Sequence, residues 1–149
     1  MSSSEPRVLV VESNDALRMM LFAILRHQPI AVDTAISASE ALQKVTTCDY
    51  ALIMIDMDVP DAAAFLSRFR EERPGATSFV LAVRDVRNET FLDPTIVSAV
   101  LGKPLEIDTL AELVRECALV VPRPDDPLRC PPAESDIRAQ LERGPYIAN

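Results

Sequence analysis

Residues 50–56 read YALIMID, an apolar run that ends in a carboxylate, Asp56. A run of this kind is typical of a strand that is buried on both faces of a parallel sheet. Helix-period segments separate it from most of the other β-branched-rich runs in the chain. Those other runs are RVLVVE (7–12), IAVDTAI (30–36), TSFVLAV (77–83) and TIVSAVL (95–101). The alternation predicts a doubly wound α/β fold with helices on both faces of a parallel sheet.

Apolar spacing predicts helices after the first, second, third and fifth runs. The second helix opens with Ser37 and Glu40, which have the spacing of a capping box. The third is expected to begin at Asp61, and the last to cover about 107–119. Between 83 and 95 there are few apolar anchors, so we expect a short or irregular fourth helix there. The expected inner faces of the first and third helices are Leu17, Met20, Leu21, Ile24 and Leu25, and Phe65, Leu66 and Phe69.

Composition limits the classes of function. The formal net charge of −8 disfavours binding to nucleic-acid phosphates, which needs clustered Lys and Arg. No apolar stretch approaches the ~20 residues of a membrane helix, and the opening MSSSEPR lacks the apolar core of a signal peptide. We therefore expect a cytoplasmic protein that binds neither nucleic acid nor membrane. Three cysteines without CxxC spacing, and a single histidine, predict neither a disulfide framework nor a zinc site.

The last 29 residues differ from the rest, since they hold six of the twelve prolines. We expect an N-terminal extension at 1–6, one folded domain at 7–120 and an extended, Pro-rich tail at 121–149. Within the tail, residues 133–143 could form one short helix that ends at Gly144-Pro145 and places Ile137 and Leu141 on one stripe.

Polar residues at the carboxyl ends of the predicted strands mark the candidate site, because ligands of open α/β sheets bind there. Glu12 closes the first run, Asp56 and Asp58 close the third, and Lys103 follows the fifth. A carboxylate at the end of a buried strand needs a compensating cation, and Lys103 can supply it. A carboxylate beside a lysine, with a second acid nearby, suits phosphoryl transfer assisted by Mg²⁺.

Three motifs, VLVVES, YALIMIDMDVP and LGKP, occur in the order and with about the spacing of response-regulator receivers of the chemotaxis-regulator type. The span from about Arg7 to Leu119 resembles that family. The resemblance implies a flavodoxin-like sheet of order 2-1-3-4-5 and an aspartyl phosphate on Asp56. It also implies that Lys103 contacts the phosphate, that Glu12 is an acid on the metal side, and that Asp58 lies where the family offers a backbone carbonyl to Mg²⁺.

Several positions depart from the family pattern. Ser13 replaces the second of two adjacent acids, so metal affinity should be weakened or lost, although Asp58 or Asp15 could compensate through water. Val83 aligns with the switch hydroxyl and cannot donate a hydrogen bond, whereas the guanidinium of Arg84 could act as a donor. Val100 aligns with the aromatic switch residue, which argues against the usual two-state readout.

These features leave three functional hypotheses. The first is a receiver that is phosphorylated on Asp56 by a histidine kinase or phosphotransfer protein; with no room for an output domain, it would signal through contact with another protein. The second is a pseudo-receiver that binds its partner without phosphorylation. The third, a haloacid-dehalogenase-like phosphatase, would need paired acids after a later strand, whereas Asp125-Asp126 lie among prolines. We expect a non-enzymatic monomer or weak dimer.

Overall fold

A computed structural model describes residues 5–124 and 126–143 of the chain. Five parallel strands form one sheet in the order β2-β1-β3-β4-β5, as the resemblance implied. The strands are β1 (Arg7–Val11), β2 (Ala31–Ala35), β3 (Leu52–Asp56), β4 (Phe79–Arg84) and β5 (Ala99–Gly102), and the helices are α1 (Asp15–Leu25), α2 (Ala38–Thr47), α3 (Ala62–Glu72), α4 (Ile107–Val120) and α5 (Glu134–Arg143).

Each face of the sheet carries its own apolar cluster, because side chains alternate along a strand. On one face, Leu9 and Ile53 pack with residues of α2 and α3, including Phe65. On the other, Val8 and Leu52 pack with residues of α1 and α4. Every residue of β3 is buried, so the strand that carries Asp56 is fixed at the centre of the domain.

Side-chain caps begin the first two helices. The Asn14 side chain accepts a hydrogen bond from the backbone N–H of Leu17 at the start of α1. At α2, Ser37 Oγ accepts from the N–H of Glu40, as the capping-box spacing predicts. Asp61 precedes α3 in the left-handed conformation, with φ of 65°. A short loop joins each of these helices to the strand before it, so the residues at the strand ends lie near the starts of the helices.

Two local expectations differ from the structure. The segment between β4 and β5, which is described throughout, contains turns and irregular backbone instead of a fourth helix. The only apolar residue of RDVRNET, Val86, is exposed and gives a helix nothing to bury. Met20, expected on the inner face of α1, is exposed, while Leu21 and Leu25 are buried. The inner face is therefore narrower than the predicted stripe.

The expectation of no disulfide is wrong. Cys48, at the end of α2, is bonded to Cys130 in the C-terminal segment, with 4.9 Å between their Cα atoms. The two cysteines are 82 positions apart in the sequence, so no local pattern indicates the pair, and only the fold brings them together. Cys117 remains a free thiol.

The tail also departs from the extended segment that its prolines predict. Helix α5 lies where a short helix was expected, but it packs along β2 through Ser135, which is buried, whereas Ile137 and Leu141 are exposed. The preceding Ala133 is also buried. The tail is thus part of the folded unit as far as Arg143; the expected helix end at Gly144-Pro145 lies outside the described residues.

Candidate functional site

The carboxyl ends of β1, β3 and β5 bring the predicted site residues together. Lys103 follows β5, and its Nζ lies 2.6 Å from Asp56 Oδ2 at the end of β3. The backbone N–H of Asp58 donates to the other carboxylate oxygen, Asp56 Oδ1, over 2.9 Å. Asp56 is 5% exposed, so these two donors provide the compensation that a buried carboxylate requires.

Glu12 is the second acid of the site, beside Asp56, and it immediately follows the last residue of β1. Its Oε2 accepts a hydrogen bond of 3.0 Å from the backbone N–H of Asn14. Desolvation by burial, followed by a hydrogen bond with the Asp56 carboxyl group, raises the pKa of Glu12 to about 7. The carboxyl groups of Glu12 and Asp56 therefore lie within hydrogen-bonding reach of each other.

Lys103 bridges two acids. Its Nζ lies 3.2 Å from Asp58 Oδ2 in addition to the contact with Asp56. Desolvation by burial opposes the charge on the ammonium, but the hydrogen bonds to both acids outweigh it and raise the pKa of Lys103. The cation is therefore retained at the centre of the site.

Asn88 is a site residue that the sequence analysis missed. Its Nδ2 donates to Asp58 Oδ1 over 2.9 Å and to the backbone carbonyl of Met57 over 3.2 Å. Hydrogen bonds from Asn88 and then from Lys103 lower the pKa of Asp58. An amide within RDVRNET carries no motif, so no sequence signal distinguishes it from a surface residue.

The positions that depart from the family pattern do not replace the missing groups. Val83 is paired with Asp56 across the sheet and presents no donor. The Arg84 guanidinium donates to the carbonyl of Thr90 over 2.9 Å, so in this structure it is engaged away from Asp56. Val100 is exposed and lines an open cleft of about 760 Å³ together with residues 84–86 and 88–92. Asp15, offered as a compensating acid, is paired with Arg18.

The fit to Mg²⁺ is partial. Among residues 5–124 and 126–143, no group of three or more acidic, His or Cys side chains is arranged to hold a metal ion. The carboxyl groups of Glu12 and Asp56, which lie within hydrogen-bonding reach of each other, match the one or two carboxylates that Mg²⁺ commonly uses alongside water. Ser13 is exposed and supplies no third carboxylate. Two carboxylates without a third acid fit only a weak Mg²⁺ site.

Comparison with solved structures identifies the fold. A CheY-like response regulator receiver domain from Methanospirillum hungatei JF-1 superposes with a TM-score of 0.65 at 24% identity, over 77% of this chain and 94% of that one. The response regulator TrrA from Thermotoga maritima, solved with Mg²⁺ and BeF, gives 0.64 at 22% identity, over 75% and 98%. An adenylate cyclase structure from Rhodopirellula baltica gives 0.68 at 19% identity, over 93% and 96%.

Sequence comparison agrees. The transcriptional regulatory protein PmrA of Pectobacterium parmentieri is 29% identical over 112 residues, or 73% of this chain. The chain spans 50% of the length of that relative. No protein-family model matches the chain. The resemblance to response-regulator receivers is confirmed, and the chain has the receiver fold.

No helix within the described ranges is long and apolar enough to cross a membrane.

Proposed function

We propose that this chain is the receiver of a two-component phosphorelay, which accepts a phosphoryl group on Asp56 and signals through contact with another protein. The observation that carries the proposal is the 2.6 Å contact between Lys103 Nζ and Asp56 Oδ2 at the carboxyl edge of a receiver-type sheet. It places a buried nucleophile beside a fixed cation, which is the arrangement that phosphoryl transfer to a carboxylate requires.

The donor in this proposal is a phosphohistidine of a histidine kinase or phosphotransfer protein. A carboxylate oxygen of Asp56 forms a bond to phosphorus while the bond from phosphorus to the histidine nitrogen breaks, and the imidazole leaves. Lys103 neutralises charge on the phosphoryl oxygens, as its ammonium already does for Asp56 and Asp58. The backbone N–H of Asp58 holds the second oxygen of Asp56 in place.

The residues that would hold Mg²⁺ are Glu12 and Asp56, and the ion, when bound, would supply positive charge that neutralises the phosphoryl oxygens. Glu12 must first lose its proton, which its pKa of about 7 makes easy at neutral pH. With one carboxylate replaced by Ser13, we expect weak metal affinity. We expect no catalytic turnover of small substrates.

Output would use the surface next to Asp58 and Asn88. Val83 has no hydroxyl that could form a hydrogen bond to the phosphoryl group. We propose instead that phosphorylation alters the contacts of Asp58, and that Asn88, which is bonded to Asp58, transmits this change to residues 85–98. The downstream partner is a protein that recognises this segment, and we place the exchange in the cytoplasm, where histidine kinases present their phosphohistidines.

Beryllofluoride tests this proposal, because it mimics a phosphoryl group on a carboxylate. In the presence of Mg²⁺, amide hydrogen exchange at 85–98 should slow on addition of beryllofluoride in the wild type but not in Asp56→Asn. Asp61→Asn is the matched control, because Asp61 is exposed and Asn adopts its left-handed conformation readily. An identical response in wild type and Asp56→Asn would contradict a site at Asp56.

A second candidate, a phosphorylation-independent interaction module, is favoured by one observation. Val83 lies directly across the sheet from Asp56, where a hydroxyl would be needed to register the phosphate. This candidate predicts that cells carrying Asp56→Asn keep the normal signalling output. Loss of output in those cells, with the protein present at normal amounts, would reject it.

A further inference from the structure

The edge of the sheet at β2 is covered by the C-terminal segment. An edge strand presents backbone N–H groups that lack a neighbouring strand. Here Ser135 Oγ accepts the N–H of Val32 over 2.8 Å, and Glu134 Oε2 accepts the N–H of Thr34 over 3.2 Å. Two side chains of α5 therefore take the place of a sixth strand.

Polar contacts fix the start of α5 against the same strand. The backbone N–H of Glu134 donates to Asp33 Oδ1 over 2.9 Å, and its carboxylate lies 2.6 Å from Lys44 Nζ. Arg7 Nη1 donates to the carbonyl of Pro131 over 2.6 Å. The Lys44–Glu134 pair is partly open to water, and ion pairs of that kind contribute little to stability. These polar contacts therefore position the C-terminal segment against β2 but do not by themselves hold it there.

A disulfide bond tethers the C-terminal segment to the rest of the domain. The Cys48–Cys130 disulfide joins the tail to the end of α2 four residues before α5 begins. Next to it, the N–H of Leu128 donates to Asp49 Oδ2 over 2.7 Å. A tether this close to α5 raises the local concentration of the helix at the β2 edge. Cys48 is buried, whereas Cys130 is partly exposed and can be approached by a reductant.

We propose that Cys48–Cys130 is a redox latch: reduction by a dithiol releases the C-terminal segment 126–143 and uncovers the edge of β2. A thiolate of the reductant attacks Cys130 Sγ, the disulfide breaks and Cys48 leaves as a thiolate. The second thiol of the reductant then displaces Cys130, so that the reductant becomes a disulfide and the protein holds two thiols. The uncovered N–H groups of Val32 and Thr34 are the structural output of the latch.

Amide hydrogen exchange on the full-length protein tests this proposal, before and after treatment with dithiothreitol. In the oxidised protein the amides of Val32 and Thr34 should be protected, and reduction should speed their exchange roughly tenfold or more. The amide of Ile53 in the central strand should be unaffected. Intact mass should confirm that reduction adds two hydrogen atoms.

Two variants separate the latch from general effects of reduction. In Cys130→Ser, the amides of Val32 and Thr34 should exchange as fast as in the dithiothreitol-treated wild type, with or without dithiothreitol. Cys117→Ser leaves the disulfide in place and should behave as the wild type. Three results would overturn the proposal: exchange at Val32 and Thr34 that is unchanged by reduction of the wild type, absence of the disulfide under oxidising conditions, or equal loss of protection at Ile53.

Discussion

The side-chain amide of Asn88 donates a 2.9 Å hydrogen bond to Asp58 Oδ1. This bond connects the segment after β4 to the loop that follows Asp56. The opposite oxygen of Asp58 contacts Lys103, which contacts Asp56 in turn. A chain of four polar side chains thus runs from the buried carboxylate to a loop on the surface. It offers a route for signal transfer that does not need a hydroxyl at position 83.

Substitution of Asn88 tests this connection. Asn88→Ala should raise the pKa of Asp58 toward its ordinary value, because the Asn88 hydrogen bond is the largest cause that lowers it. Hydrogen exchange at 85–98 should also become faster. The measurement is an NMR pH titration of the Asp58 carboxyl group, with Glu89→Gln, a change at an exposed neighbour, as the control. An unchanged titration of Asp58 in Asn88→Ala would show that the contact is not formed in solution.

Glu12 should make stability depend on pH. Its pKa is about 7 in the folded protein against an ordinary value of 4.5, so the folded state holds a proton that the unfolded state has lost. Stability should therefore fall as pH rises from 4.5 to about 7, by roughly 1–2 kcal/mol once screening by water is allowed for.

Urea unfolding across this pH range, with a chelator present, measures the effect. Glu12→Gln should remove most of the slope, because glutamine does not titrate. Titrating groups that do not contact Glu12 act equally in both proteins, so the difference between the two curves reports on Glu12 together with the groups that it contacts, Asp56 and Lys103. Parallel curves for the wild type and Glu12→Gln would contradict the assignment.

Loss of the Ser135 hydroxyl should lower the free energy of unfolding, although Ser135 lies in the C-terminal tail. Ser135→Ala leaves the N–H of Val32 without an acceptor beneath α5, and a buried donor without a partner costs about 1–3 kcal/mol. Urea unfolding of the oxidised protein gives the value, with Asp136→Asn, an exposed change on the same helix, expected to shift it little. Equal stability of the two variants would argue against docking of α5 on β2.

The fold was predictable because its signals are local and repeated. Runs such as 50–56 are apolar throughout, and helical spacing between them leaves few arrangements other than a parallel sheet. The same logic placed Glu12, Asp56 and Lys103 at one edge of the sheet, since the carboxyl ends of parallel strands share that edge. The bond between Lys103 and Asp56 follows from that placement.

Other features were not predictable, because they depend on contacts between distant segments. The disulfide joins residues 82 apart in sequence, and Ser135 gains its role only because α5 lies along β2. Six prolines suggested an extended tail, but proline restricts the local backbone without opposing docking of the helix that follows. Asn88 was missed because an isolated amide in a loop carries no pattern.

Intact-mass spectrometry after incubation with a small phosphodonor, with and without Mg²⁺, decides whether Asp56 accepts a phosphoryl group. We expect the wild type to gain the mass of one phosphoryl group when Mg²⁺ is present, Asp56→Asn to gain none, and Lys103→Ala to gain much less. A wild-type mass that stays unchanged, under conditions that fully label a control receiver, would contradict this expectation.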